Sequence, residues 1–258
     1  MKIKSLKKLS FLFVFALILS VIPSISVSAA SYDRDFVAIK KVKLWVQNSH
    51  AYKRGEVKLY CLEGESPVLE TQVKGLTKGN KYNIEVTLYK DGRYVYSDSL
   101  YGTKNTAPLF VLPELEAGRY MVAYSFSGDT VVQKDFNYEI DVMKEDAFNY
   151  TSNLFANFGI PTDEVLYSFA YQLSDEKIKV GEVADYVYLH FKQDTLTDEQ
   201  FVKNLYKGLL YRDYDEGGYY YWLGKLQSKE LTRSKVFEEF VGSYELEHNV
   251  CEKYNLPY

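Results

Sequence analysis

Between Phe36 and Val142 apolar and polar residues alternate with a period of two, which predicts strands that each bury one face. Val42, Leu44 and Val46 alternate with Lys43, Trp45 and Gln47, and Val57, Leu59 and Cys61 with Lys58 and Tyr60. Tyr82, Ile84, Val86 and Leu88 alternate with Asn83, Glu85 and Thr87. Lys90-Asp91-Gly92-Arg93 then carries Asp-Gly, the pair suited to the positive φ angles of a type I′ hairpin turn, and the chain returns over 94–101. Residues 120–126 and 131–142 make a second hairpin across Ser127-Gly128-Asp129. About seven strands at this spacing predict an all-β sandwich, placed at 31–143.

From Lys144 onward the period becomes helical, and 144–258 reads as an all-α domain. Phe148, Leu154 and Phe158 mark a first amphipathic segment, ended by Gly159 and Pro161. Val165, Leu166 and Phe169 mark a second, and Val183, Val187 and Phe191 a third. Thr197-Asp198-Glu199-Gln200 is a capping box that opens a fourth, with Phe201, Leu205 and Leu209 on its inner face. Residues 219–226 and 234–241 supply two more. This helical half also repeats itself. Asn153-Leu154-Phe155 matches Asn204-Leu205-Tyr206, Phe169 and Leu173 match Trp222 and Leu226, and Ile178 and Val183 match Leu231 and Val236. A period near fifty residues implies paired helical units that stack on a shared face.

Two local patterns carry resemblances. Leu115-Glu116-Ala117-Gly118-Arg119-Tyr120 has Leu, Gly and Tyr where immunoglobulin-like sandwiches place a tyrosine corner, and 76–82 is a looser version. The strand half therefore resembles bacterial immunoglobulin-like or fibronectin-type modules, which implies a fold and no function. The resulting fold class is multidomain: an immunoglobulin-like sandwich followed by an all-α module with a two-copy repeat. In the second copy Phe201, Leu205-Tyr206, Leu209-Leu210, Arg212, Asp215, Gly218, Trp222, Leu226, Val236, Phe240 and Ser243 follow in order. The spacing Arg212-x-x-Asp215-x-x-Gly218-x-x-x-Trp222 resembles the bacterial family called domain of unknown function 4214, over residues 195–250. The resemblance implies a helical extracellular module without chemistry to carry over. The first copy lacks the Arg, Asp, Gly and Trp and reads as degenerate.

The motif also has a physical reading of its own. Asp215 precedes a helix and can accept first-turn N–H bonds. Arg212 can form a bidentate pair with that carboxylate or another nearby. Gly218 would let a helix approach closely, and Trp222 one turn later would fill the core. Together these residues make a fold-building corner.

The amino terminus changes where the chain is expected to work. Lys2, Lys4, Lys7 and Lys8 precede an apolar run from Leu9 to Ile22, Pro23 breaks the helix, and Val27-Ser28-Ala29 offers small residues to a signal peptidase. The run of about fourteen residues is short of the ~20 that span a membrane. A secretory signal peptide over 1–30 with cleavage after Ala29 is expected, leaving a secreted chain with no membrane span. Outside the cell a Cys61–Cys251 disulfide is permitted, though two free, buried thiols are the favoured reading. The net charge of −4 gives no electrostatic case for nucleic acid.

Little in the sequence points to catalysis. Asp213-x-Asp215-x-x-Gly218 opens like an EF-hand loop, but Gly217 and Gly224 stand where ligands should be. His50, His190 and His248 are scattered without metal-ligand spacing, no Gly-x-Ser-x-Gly elbow occurs, and neither metal nor cofactor is called for. Tyrosine is the compositional outlier, with 25 residues. Tyr219, Tyr220 and Tyr221 are the candidate binding residues, because consecutive helical positions fan out and at least one should face solvent. The expected function is a secreted, non-catalytic binding or structural module that recognises an extracellular glycan or envelope protein. The alternatives are a secreted glycan hydrolase of unrecognised type and an oligomerising subunit of a surface assembly.

Overall fold

A computed structural model describes residues 38–46, 58–74, 81–104, 108–128, 131–191 and 195–258. The leader at 1–30, the junction at Ala29, His50 and most of the looser corner at 76–82 lie outside the described residues. Eight strands come first: β1 (Ala38–Val46), β2 (Lys58–Leu62), β3 (Pro67–Lys74), β4 (Tyr82–Lys90), β5 (Arg93–Gly102), β6 (Leu109–Val111), β7 (Gly118–Gly128) and β8 (Val131–Met143). Helices α1 (Glu145–Phe158), α2 (Glu164–Ser174) and α3 (Val180–His190) follow. After them come α4 (Asp198–Asn204), running into a π-helical turn π1 (Leu205–Leu209), then α5 (Glu216–Gln227), α6 (Arg233–Val241) and a second π-helical segment π2 (Glu245–Cys251).

The strands form a three-stranded sheet, β1-β3-β6, and a five-stranded sheet, β2-β8-β7-β4-β5. Leu69 and Phe110 of the smaller sheet share a core with Ile84, Val86, Leu88, Val122, Tyr124, Phe126, Ile140 and Val142 of the larger. Of the alternating positions read from sequence, Leu59, Cys61, Tyr82, Ile84, Val86 and Leu88 line this core. Asp91 and Gly92 take φ of 50° and 76°, as the hairpin between β4 and β5 requires.

The expected immunoglobulin-like sandwich joined to a separate α domain is not what forms. β2 runs parallel to β8 while its neighbours pair antiparallel. Leu59, Tyr60 and Cys61 of β2 are all buried, as are Ile140, Asp141, Val142 and Met143 of β8, so these two strands are covered on both faces. The inner cover is the smaller sheet. The outer cover is helical: Tyr60 and Met143 pack with Ala170 and Tyr171 of α2, with Tyr167 and Phe148 at the margin. Tyr60 and Tyr167 stack with ring centroids 5.8 Å apart. Strands buried on both faces are the setting in which parallel pairing is found. The result is a mixed α/β unit running Phe36–Tyr258.

A buried charge fixes this seam. Asp141, on the outer face of β8, accepts from Arg119 Nε at 2.8 Å and Nη2 at 3.3 Å, and Lys58 Nζ lies 2.6 Å from its other side. The Arg119 guanidinium in turn sits 5.3 Å from the ring centroid of Tyr171 on α2. Three strands and one helix thus meet around one carboxylate. Tyr120 is buried in β7 on the opposite, inner face, where Lys90 of the neighbouring β4 faces it in the strand register with Nζ 5.3 Å from its ring centroid.

Candidate binding site

The helical half is built twice on one plan. Thr197 accepts from Gln200 N at 3.2 Å while its own N–H donates to Gln200 Oε1 at 3.0 Å, closing the capping box of α4. Asp215 is the N-cap of α5 and accepts from Gly218 N at 2.7 Å. That backbone bond, with Arg212 beside it, lowers the Asp215 pKa despite opposing desolvation. The first copy has the same device: Asp163 caps α2 and accepts from Val165 N at 2.9 Å. An Asp does therefore stand at this place in the first copy. The match between copies, made on apolar landmarks, lost register in the loop before each cap.

Arg212 works through a partner that its own segment does not contain. Its Nε and Nη2 grip Glu245 of π2, the latter at 3.0 Å from Oε2. Nη2 also reaches Asp215 Oδ2 at 3.3 Å, and Nη1 donates to the Asp213 carbonyl at 2.8 Å. The bidentate pair thus goes to Glu245, with Asp215 as a second acceptor. Hydrogen bonding to Glu245 is the main reason the Arg212 pKa is raised. The guanidinium lies 4.8 Å from the Tyr206 ring centroid.

Gly218 admits a side chain and not a helix: a Cβ there would lie 2.2 Å from the Tyr206 hydroxyl oxygen. The Tyr206 and Trp222 rings both pack on Phe240, with centroids 5.1 Å and 5.4 Å from it. Trp222 is only half-buried, so it seals the rim of the corner and does not fill the core.

The three tyrosines divide as helical geometry demands. Tyr219 is buried, with its ring 4.6 Å from Tyr214. Tyr220 is 66% exposed and Tyr221 55% exposed. Lys203 Nζ sits 5.4 Å from the Tyr219 centroid, and Lys225 Nζ 5.5 Å from that of Tyr221. Tyr220 and Tyr221 thus make a short exposed aromatic ridge across α5, with Lys225, itself paired with Glu230, beside Tyr221.

The remaining candidates stay apart. Cys61 lies in the sheet core and Cys251 at the end of π2, both buried and unpaired, so no disulfide joins the halves. His190 stacks on Tyr186 and His248 on Tyr244, with ring centroids 4.0 Å and 3.9 Å apart. Among the described residues no group of His, Cys, Asp and Glu is placed to hold a metal ion. Glu245 carries no local signal in the sequence, because its partner Arg212 lies 33 residues upstream.

Solved structures offer only distant likenesses. The soluble domain of PmoD from Methylocystis sp. is similar at TM-score 0.32 and 7% identity, covering 43% of this chain and 94% of that one. A putative β-galactosidase from Bacteroides fragilis is similar at TM-score 0.29 and 12% identity, over 52% and 27% of the two chains. A CARDB domain from Pyrococcus furiosus gives 0.26 and 16%, over 43% and 97%. Likeness at this level carries no argument about fold or function. No curated protein matches the sequence. The carboxy-terminal copy is where a relationship shows: residues 189–250, from the end of α3 through most of π2, match the family model described as domain of unknown function (DUF4214).

Proposed function

We propose that the chain is exported by its leader, cleaved after Ala29, and acts outside the cell as a non-catalytic recognition module for an extracellular glycan or envelope protein. The observation that carries this is the exposed Tyr220–Tyr221 ridge on α5. Aligning the buried Leu166, Ala170 and Leu173 of α2 with the buried Tyr219, Leu223 and Leu226 of α5 places Tyr220 opposite Tyr167. In the first copy Tyr167 is a docking residue, stacked 5.8 Å from Tyr60 on the sheet and 5.9 Å from Phe148. In the second copy the corresponding face holds nothing among the described residues and ends in two open aromatic rings, which are suited to sugars and to protein surfaces alike. No helix among the described residues is long and apolar enough to cross a membrane. Asp141 is a buried carboxylate, but both its oxygens are taken up by Arg119 and Lys58, which leaves it structural.

The test is retention of the mature chain on purified cell wall and insoluble polysaccharides. Wild type should be retained, and a Tyr220→Ala/Tyr221→Ala variant with an unchanged melting curve should wash through. Equal retention of both, or none for wild type, overturns the reading. Export is checked separately by sequencing the amino terminus of extracellular material, which should begin at Ala30.

A further inference from the structure

π-Helical turns are rare and tend to occur at functional sites; here π2 lines one side of a cleft, and Leu210 to Arg212, which directly follow π1, line the other. π1 has a visible origin in the repeat. In the first copy the stretch from Asn153 to the left-handed helix cap ends at Gly159, with φ 68°. In the second copy the stretch from Asn204 is one residue longer and ends at Tyr211, with φ 54°. The extra residue is absorbed by a widened turn in which Leu210 N donates to the Leu205 carbonyl at 3.3 Å. The consequence is that a bulky residue, and not glycine, takes the left-handed position that L-residues disfavour.

The strained cap sets a tyrosine at the edge of an open cleft of about 450 Å³ between π2 and the residues that follow π1, within the usual range of ligand pockets. Tyr211 meets Tyr254 edge-on, with centroids 5.2 Å apart at 76°, and leans on Tyr150 at 6.2 Å. Arg212 and Glu245 line the cleft as a closed ion pair, so they offer a planar polar surface with no net charge. His248, held by its stack on Tyr244, and the solvent-exposed Asn249 and Lys253 complete the polar wall. Among the described residues neither the Asn249 amide nor the Lys253 ammonium has a hydrogen bond or ion-pair partner, although Lys253 Nζ lies 4.9 Å from the Tyr254 ring centroid.

Two angled aromatic faces call for a ligand with an apolar C–H face. An unpaired amide, an ammonium and a neutralised Arg–Glu plane call for several hydroxyl or carbonyl groups around its rim. With the Arg212 charge already answered, a simple anion is poorly served, and with Lys253 at the wall a ligand cation is opposed. We propose that this cleft is a second sugar contact, separate from the Tyr220–Tyr221 ridge, and that it holds one pyranose unit of an extracellular polysaccharide whose retention on the insoluble wall also needs the ridge. The inference rests on the chain being an extracellular recognition module and names the pocket and the ligand class.

The experiment is calorimetric titration of the full mature chain with soluble, uncharged cello-, chito- and xylo-oligosaccharides. It compares wild type with Tyr211→Gly, Asn249→Ala and the Tyr220→Ala/Tyr221→Ala variant. The expected result is that one series binds wild type and that Tyr211→Gly and Asn249→Ala each weaken it by about tenfold, of the order of one aromatic or polar contact. The ridge variant should bind that series as wild type does. Tyr211→Gly should also melt no lower than wild type, because glycine suits the left-handed cap, so its loss of binding cannot be assigned to unfolding. Undiminished binding by both cleft variants with loss in the ridge variant overturns the cleft and leaves the recognition module standing. Binding of none of the sugars by a wild-type chain that is still retained on cell wall also overturns the cleft, in favour of a protein ligand. Failure of both assays removes the module reading itself.

Discussion

Replacing Asp141 by Asn tests what clasps the helices to the sheet. Asp141 is 1% exposed and faces two cations, Lys58 at 2.6 Å and Arg119 at 2.8 Å. Asn keeps the shape but removes the charge, leaving Lys58 and Arg119 to repel one another beneath α2. Breaking a buried ion pair by removing one partner costs about 3–5 kcal/mol. The Arg119 and Lys58 side chains are 37% and 28% exposed and can recover some hydration, which puts the loss at the lower end, about 3 kcal/mol. For a unit of this size 1 kcal/mol shifts Tm by about 2–4 °C, so the variant should melt about 6–12 °C lower. Glu116→Gln is the internal control, since Glu116 pairs with Lys90 at 3.2 Å on the open surface. Such pairs contribute about 0–1 kcal/mol. Thermal unfolding followed by far-ultraviolet circular dichroism reads both. If Asp141→Asn melts within about 2 °C of wild type, by the same scaling, the carboxylate is not the clasp and apolar packing alone holds the seam.

Neighbouring glycines should respond in opposite directions. Gly218→Ala drives a Cβ to 2.2 Å from the Tyr206 hydroxyl and should destabilise by about 1–3 kcal/mol. Gly217→Ala meets nothing nearer than 3.6 Å and should stabilise α5 by up to about 1 kcal/mol; equal effects in denaturant melts would refute the Tyr206 contact. Burial pushes the Cys251 thiol up to about 12, with Glu247 adding to the shift, and pushes Cys61 up as well. Both should resist alkylation at pH 8 until the chain is unfolded, and fast labelling of the folded chain would show the core open. Because unfolded thiols release protons from about 8.5 upward while the folded ones keep theirs, stability should fall as pH rises from there towards 12. Burial opposes the charge on Lys58, but the field and hydrogen bond of Asp141 outweigh it and raise its pKa. That contribution is complete below the ordinary value of about 10.4 and is lost as pH climbs through the folded value. Asp141→Asn should therefore lose less stability than wild type above pH 10.4, and parallel pH–stability curves would count against the pair.

Signals confined to a few neighbouring residues were legible in the sequence. The Asp91-Gly92 turn, the Thr197–Gln200 box and the Asp215 cap each depend on groups within three residues of one another. The parallel pairing of β2 with β8 was not, because it joins Lys58–Leu62 to a strand that ends at Met143. Its trace in the sequence is the interruption of alternation at Ile140-Asp141-Val142-Met143, where a charged residue sits within an otherwise apolar run. A buried Asp reads as a solvent-facing position until Arg119 and Lys58 are seen beside it. β6 went unread because three residues are too few for a period to show. β3 begins at Pro67, which marks strand starts as readily as turns.

What sequence comparison between the two helical copies treated as decay is, in the structure, divergence at two particular places. α2 presses its Tyr167 onto the sheet through Tyr60, while the corresponding Tyr220 of α5 stands in solvent. The α1 unit closes on Gly159, whereas π1 closes on a strained Tyr211. Core positions such as Leu166 and Tyr219, or Ala170 and Leu223, are buried in both copies, so packing does not require either difference. An exposed aromatic gains little folding energy, and a left-handed tyrosine costs some. Under the recognition function proposed above, these two departures are where contact with something outside the chain is expected. The ridge and the cleft are the places where the second copy departs from the first in this way, and ligand contact should be sought there before it is sought in the sheets.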